Sequence, residues 1–558
     1  MLVSRILKAL GILLAAVALI AYVGYLVVYV VYAVNLFQWP FDYDQGEGFE
    51  LYDAILFSRG ELPYKDNAVY PYYASNYPPL FHLLIVPVLP VFGPNVVAGR
   101  VVSFAATLVT AATIFVVVRR KAGGWFIPLV SGLAYLSSNY VYQTGPLCRM
   151  HITMVMFEAL AIAFVAEFQH PTHGKRNLIL GLLMLLMAGY TKQMAVLTVV
   201  AALAYVFLRD VKRSIIAGAA LAIVTGVIFW LLNVATDGQW WINTIQANAN
   251  EFKYLQTIAF AKQWFELHTL FIILAVAYLV YELFWDRLSA YSLWFFFALG
   301  TGALSGKWGA SFNYFTTAVA AACVCSGLAL GRLVKERGAE KVDWRAVLAT
   351  GNLGSALKSL RSTLRSFAVR RRLTLARPIL LVLIPLLYLL QAPRMLHLPT
   401  AGPVFGPVAQ ALGVGGAVTQ TDCTAYAYHD KMGYTQLGHL VTDDDYAAGE
   451  ELLAYVRASD GPVLSEEAML TLLDERPVVT NPTQLRNLYL NGLLDTTDIV
   501  ERIDRQEFGV ILFRAQFYPD PVLQAIGQNY RTVDTVCMNG FNYGVLLPDR
   551  LLDQPAGR

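Results

Sequence analysis

The stretch "ILKALGILLAAVALIAYVGYLVVYVVYAVNL", Ile6 to Leu36, carries no charge after Lys8. A secretory leader has an apolar core of about 7–15 residues, whereas a helix that crosses a bilayer needs about 20. The run is too long for the first and sufficient for the second, so it reads as a retained anchor. Arg5 and Lys8 stand before it and place the N-terminus on the cytoplasmic side.

The rest of the 558-residue chain agrees, being 57% hydrophobic and only 15% charged. That balance belongs to a polytopic membrane protein rather than a soluble one. Apolar runs over roughly 9–35, 96–118, 125–142, 152–168, 213–235, 268–285, 288–304, 312–331 and 378–392 are long enough, or nearly so, to span. The run 178–208 is broken by "TKQ", Thr191 to Gln193, and reads as two helices meeting near a membrane face. The expected fold class is therefore a polytopic α-helical membrane protein with about eleven transmembrane helices and a C-terminal α/β domain. "YPPLFHLLIVPVLPVFGP", Tyr77 to Pro94, is short and proline-rich, so it is expected to lie in the outer interface or to be re-entrant.

Basic residues orient this threading. "RRK" (119–121), "HGKR" (173–176), "RDVKR" (209–213) and Asp286-Arg287 fall in cytoplasmic loops, as does the basic stretch from Arg332 to Arg377. The C-terminal domain then lies outside. From Arg394 onward acidic residues number 21 against 11 basic ones, which suits a water-facing tail. No Lys/Arg stripe interleaved with aromatics appears, so nucleic acid is not an expected partner.

The expected divisions are a membrane module over 1–335 with an exoplasmic first loop at 37–95, and a basic linker at 336–377. A last span at 378–392 and the domain at 393–558 complete the chain. The linker segment "KSLRSTLRSFAVRRR" reads as a helix on the anionic inner leaflet. In the tail, "GPVLSEE", "RPVVTNP" and "FGVILF" read as strands, and "AAGEELLAYVRAS" and "TDIVERIDRQ" as helices. This alternation predicts a largely parallel sheet. Cys423 and Cys537 are the tail's only cysteines, and whether they pair is left open by the sequence.

After the first span comes "FDYDQGEGFELYDA", Phe41 to Ala54, crowded with carboxylates. From Phe49 to Ser58 the apolar residues recur at helical spacing, predicting an amphipathic interfacial helix with Glu50 and Asp53 on its wet side. Asp42, Asp44 and Glu47 precede it at a turn loosened by Gly46 and Gly48. Aimed into a cavity there, a carboxylate gains basicity by burial and becomes a candidate general base. Cations fall on the same predicted face: Arg149 and His151 in "GPLCRMHIT", Lys192 in "GYTKQM", and Lys307 in "SGKWGASFNYF". Each one alone reads as an interfacial snorkelling residue; together they are what a phosphate group requires. His82 either joins them or sits at the headgroups. Trp240, Trp241, Trp264 and Trp308 read as an aromatic belt before a sugar platform.

A long first span, an acidic outer loop, "GELPY" and then "YPPLF" resemble the opening of the GT-C superfamily of membrane glycosyltransferases. More narrowly they resemble the bacterial branch related to protein O-mannosyltransferases and lipid A aminoarabinose transferases. "GPLCRMHITMVMFEALAIAF", "GYTKQMAVLTVVAALAYVFL" and "GASFNYFTTAVAAACVCSGLAL" extend the resemblance in order over about residues 9–335. The resemblance implies inverting transfer of a monosaccharide from a polyprenyl-phosphate donor to an acceptor hydroxyl on a glycan, lipid or protein. It places this at the exoplasmic side of the plasma membrane, with membrane lipids as further partners. It assigns the base to Asp44 or Glu47, with Asp42 third. Arg149, His151, Lys192, Lys307 and His82 become the donor-phosphate ligands, and Tyr77, Gln193, Asn313 and Tyr314 contact substrate. Where relatives often read Arg-x-Asp, this chain has Arg149-Met150-His151. No cofactor is assigned, and a divalent metal at that motif is not favoured, since hard cations want oxygen ligands. The same departure supports an alternative, a catalytically inactive GT-C-like subunit serving as scaffold or docking protein.

Overall fold

A computed structural model describes residues 2–334, 373–395 and 440–552, with the isolated positions 407 and 423. Most of the expected basic linker lies outside the described residues.

The first helix, α1 (Leu2–Gln38), is an unbroken run of apolar side chains. Ile12, Leu13 and Ile20 stay largely exposed on one side, while Tyr22, Tyr29 and Tyr32 are buried on the other. An apolar stripe of that extent facing outward is stable against lipid, not water. The helix Leu373–Met395 lies against it, and Gly11 permits this: a β-carbon there would stand 2.7 Å from the Leu381 carbonyl oxygen.

Helices occupy each of the other expected runs: Val97–Ala122, Phe126–Leu136, Met150–Val165, Gly174–Thr191, Val196–Phe207, Val211–Ala235, Tyr254–Trp285, Ala290–Ala303 and Thr316–Val334. Among the described residues, five helices are long and apolar enough by themselves to cross a membrane. Lys192, extended at φ −158°, breaks the run 178–208 where the sequence predicts. The long helix Tyr254–Trp285 is bent at His268. Gln391 accepts from the Leu270 amide and donates to the Leu267 carbonyl, satisfying backbone groups beside the bend.

The segment after Tyr77 forms α3 (Leu80–Ile85) and then a 3-10 turn and one more short helical turn to Phe92. Prolines at 87 and 90 keep it from becoming one long helix.

The C-terminal domain carries a four-stranded sheet in the order β1-β2-β4-β3. Its strands are β1 (Val463–Ser465), β2 (Val510–Phe513), β3 (Tyr530–Met538) and β4 (Phe541–Pro548). Only β1 and β2 pair in parallel; the other two pairings are antiparallel. The expectation of a largely parallel sheet is therefore corrected. Asn539 and Gly540, both at positive φ, make a two-residue hairpin turn between β3 and β4, the turn that Asn-Gly favours. "RPVVTNP" is not a strand but an approach to the helix Pro482–Leu490, capped by the Asn481 side chain. Cys423 and Cys537 are joined by a disulfide.

Candidate functional site

The helix predicted from Phe49 to Ser58 is α2 (Glu47–Ser58), and every residue from Glu47 to Leu56 is buried. It has no wet side, which corrects the reading of Glu50 and Asp53 as solvated. The C-terminal domain covers one flank, where Phe49 and Tyr52 pack with Ala468 and Val478. On the other, Leu51, Ala54 and Ile55 pack with Phe81 and Ile85 of α3.

The three carboxylates before α2 have separated roles. Glu47 is fully buried and paired with fully buried Arg100, receiving its Nε at 2.9 Å and Nη2 at 2.7 Å. It also accepts from the backbone amides of Tyr43 (2.9 Å) and Cys148 (2.6 Å). Burial alone would raise its pKa, but the Arg100 guanidinium and these bonds hold it below the ordinary value. Saturated and acidic, it is a brace: Arg100 also donates to the carbonyls of Leu36, Trp39 and Phe41, fixing the exit of α1. Asp42 is also buried, accepting from the amides of Gly48 at 2.6 Å and Met469 at 2.9 Å. It ties the loop to the C-terminal domain. Neither residue reaches the cleft described next, so the geometry speaks against both as bases.

Asp44 does reach it. The cleft, with an empty volume of about 420 Å³ including its open mouth, is lined by Asp44, Tyr77, Arg149, His151, Lys192, Asn313 and Tyr314, with Thr144, Leu147, Gly309, Ser311 and Phe312. Four loops far apart in sequence thus meet at one end of the bundle, as the sequence predicts. Arg149 Nε lies 2.9 Å from Asp44 Oδ2, and its Nη1 lies 3.5 Å from Glu50 Oε1. Gly46, at φ 105°, gives this guanidinium room: a β-carbon there would meet Arg149 Nη1 at 2.6 Å. Burial raises the pKa of Asp44 above the carboxylate value, opposed by Arg149 and Arg514 and reinforced by Glu47.

Lys192 is buried at 2% exposure, with its Nζ 4.3 Å from the Tyr77 ring centre and 5.7 Å from that of Tyr314. Aromatic faces hold a cation but do not neutralise it. Neither ring nitrogen of buried His151 has a hydrogen-bond partner among the described residues. Burial, and then Arg149, pull the Lys192 pKa well below the ordinary amine value. An anion seated beside it favours the charged form, and with the unsatisfied imidazole makes this a pocket wall that an anion completes.

Three predicted ligands lie elsewhere. His82 is buried behind α2, 2.6 Å from Glu50 Oε2. Gln193 donates to the Thr244 carbonyl, and Lys307 Nζ to the Asn248 carbonyl at 2.6 Å. The expected tryptophan belt also dissolves: Trp240 and Trp264 are buried, and Trp308 stands between Arg486 and Phe517 of the C-terminal domain, leaving only Trp241 substantially exposed.

Arg100 was not among the predicted residues. Its signal was present, a guanidinium near the start of an otherwise apolar span, and such ionisable groups are seldom idle.

A helical bundle whose far-apart loops build one polar cleft, with an α/β domain docked over it, is a fold this chain shares with solved membrane-protein structures. Within it, residues 76–240 match the family model for dolichyl-phosphate-mannose-protein mannosyltransferase. The chain superposes on ArnT from Cupriavidus metallidurans bound to undecaprenyl phosphate with a TM-score of 0.54, at 12% identity over 94% of this chain and 98% of that one. The apo form of the same protein gives a TM-score of 0.53 at the same identity and coverage. A comparison with curated proteins by sequence finds no match.

Proposed function

We propose that the chain is an inverting glycosyltransferase, moving a monosaccharide from a polyprenyl-phosphate donor to an acceptor hydroxyl at the exoplasmic face. The observation that carries this is the pairing in one cleft of a near-buried carboxylate, Asp44, with the cations Arg149 and Lys192. That ArnT binds undecaprenyl phosphate supports a lipid phosphate as the anion. The disulfide at Cys537 supports an oxidising, exoplasmic setting for the C-terminal domain.

In this reading the donor phosphate settles between Lys192, His151 and Arg149. Arg149, drawn to the phosphate, loosens from Asp44 and frees it to accept a proton. The acceptor oxygen attacks the anomeric carbon from the face opposite the phosphate. The bond from that carbon to the phosphate oxygen breaks, and the electron pair leaves with polyprenyl phosphate. The hydroxyl proton passes to Asp44. Electrostatic stabilisation of the departing phosphate by preorganised cations is the largest single contribution expected.

The test is transfer of a labelled sugar from polyprenyl phosphate by the protein in lipid nanodiscs. Asp44→Asn removes transfer while donor binding persists. Donor binding without any transfer in the wild type, across glycan, lipid and peptide acceptors, favours the scaffold reading, which rests on His151 standing where an acidic residue is usual.

A further inference from the structure

Behind the cleft, Glu50 and Asp53 stand one helical turn apart on α2 and face His82 of α3. One donor atom from each of Glu50, Asp53 and His82 lies within 4.8 Å of the other two, and His82 Nε2 stands 2.6 Å from Glu50 Oε2 and 3.5 Å from Asp53 Oδ2. Exposure is 3%, 2% and 0% respectively. From these residues we infer a site for a divalent cation of the zinc class, joining α2 to α3 and standing apart from the sugar-transfer cleft.

The charge balance argues for a cation. Two carboxylates share a dry space with one imidazole, and Arg149 touches only the far oxygen of Glu50, at 3.5 Å, while paired more closely with Asp44. Buried charges persist when they are paired or bind a metal. One imidazole nitrogen and two carboxylate oxygens form the mixed donor set that zinc accepts, with the fourth position left to water. Calcium takes 6–8 oxygens, and magnesium keeps several waters of its own, which this space does not suit.

The surroundings fit such a site. Tyr73 donates its hydroxyl to Asp53 Oδ1 at 2.8 Å, leaving Oδ2 turned to the cluster, as outer groups do for metal-bound carboxylates. The Phe57 ring stacks on His82 at 6.2 Å and closes it from the side. His82 Nδ1 has no partner among the described residues, so the ring is fixed by its Nε2 side. The cation would also reach the cleft indirectly, because Glu50 holds Arg149 with one oxygen and the site with the other. A metal there sets the position of the guanidinium from behind.

The competing arrangement is an imidazolium bridging the two carboxylates without metal. The probe is metal content of the full-length protein, purified without a histidine tag and measured by plasma mass spectrometry. A bound site retains about one equivalent of zinc, manganese, iron or cobalt through purification, as ligand-held structural metals do. His82→Gln and Asp53→Asn lose it, and dipicolinate lowers the thermal midpoint of the wild type but not of these variants. If a variant fails to fold, the metal content and the chelator response of the wild type still decide. Metal below a tenth of an equivalent after incubation with each cation, with no effect of chelator, overturns the inference. Metal kept in full by His82→Gln overturns it too.

Discussion

Glu47 and Asp44 are neighbours on one loop, and replacing each by its amide separates structural support from chemistry. Glu47→Gln removes the only carboxylate in contact with buried Arg100 among the described residues. Breaking a fully buried ion pair on one side costs about 3–5 kcal/mol, because the remaining charge is left uncompensated. The glutamine also turns an NH₂ toward donors that now reach both oxygens: Arg100 and the amides of Tyr43 and Cys148. Asp44→Asn is milder, because Asp44 borders the cleft, an asparagine oxygen still accepts from Arg149, and Arg149 keeps Glu50; the expected loss is about 1–3 kcal/mol. The order reverses in catalysis, where a general base is worth about 10²–10⁴ in rate. The measurements are the thermal midpoint by fluorescence size exclusion and single-turnover sugar transfer on the surviving folded fraction. Asp44→Asn is expected to melt near the wild type and lose transfer by that factor. Glu47→Gln is expected to melt far lower, with folded protein still transferring. A Glu47→Gln protein that melts normally and transfers nothing, beside an active Asp44→Asn, refutes the assignment.

The pH profile gives a second handle. Burial holds Asp44 above the ordinary carboxylate range while Arg149 pulls it down, and a base works only when deprotonated. Transfer should therefore fall off in acid at a pH above that of a free aspartate, about 3.9, and Arg149→Gln should move that limb upward; a limb that stays or moves down contradicts it. Lys192→Met should weaken donor binding by about 10-fold or more, the worth of a charged hydrogen bond to phosphate, with Lys192→Arg recovering part; equal donor KM in all three removes Lys192 from the phosphate site. Gly46→Ala puts a methyl 2.6 Å from Arg149 Nη1 at φ 105° and should lower transfer more than stability, read as a kcat fall larger than the shift in midpoint. Gly48→Ala brings a β-carbon to 2.7 Å from the Met469 amide and should ease proteolytic release of the C-terminal domain, measured by limited digestion.

The membrane helices were legible because a single physical rule governs them: about 20 apolar residues, with basic residues between. The broken run at Lys192 follows from the same rule, and the polar loops it leaves between helices meet at one cleft. Long-range partners were not legible. Glu50 and Asp53 carry the spacing of a wet helical face, but they meet His82 of α3, with Tyr73 on Asp53 and Arg149 beside Glu50, in place of water. Glu47 and Asp44 look interchangeable in sequence; Arg100, 53 residues beyond Glu47, decides between them. The Asn539-Gly540 dipeptide carries a hairpin signal in the sequence and marks β3 and β4 as an antiparallel pair, whereas nothing local marks the antiparallel pairing of β2 with β4.

The clamp on the loop has a consequence for how the protein is made. Asp42 is held by the amide of Met469, 427 residues later, and the Tyr43 carbonyl by Asn539, 496 residues later. At about 5–20 residues per second, the ribosome takes roughly half a minute to a minute and a half to supply that last partner. Through that interval the loop bearing Asp44 is held by the Arg100 brace and by Arg149 but lacks its two anchors in the C-terminal domain. The loop bearing Asp44 therefore gains these two anchors only after Asn539 has been made, so a chain cut before that residue is expected to hold the loop less firmly.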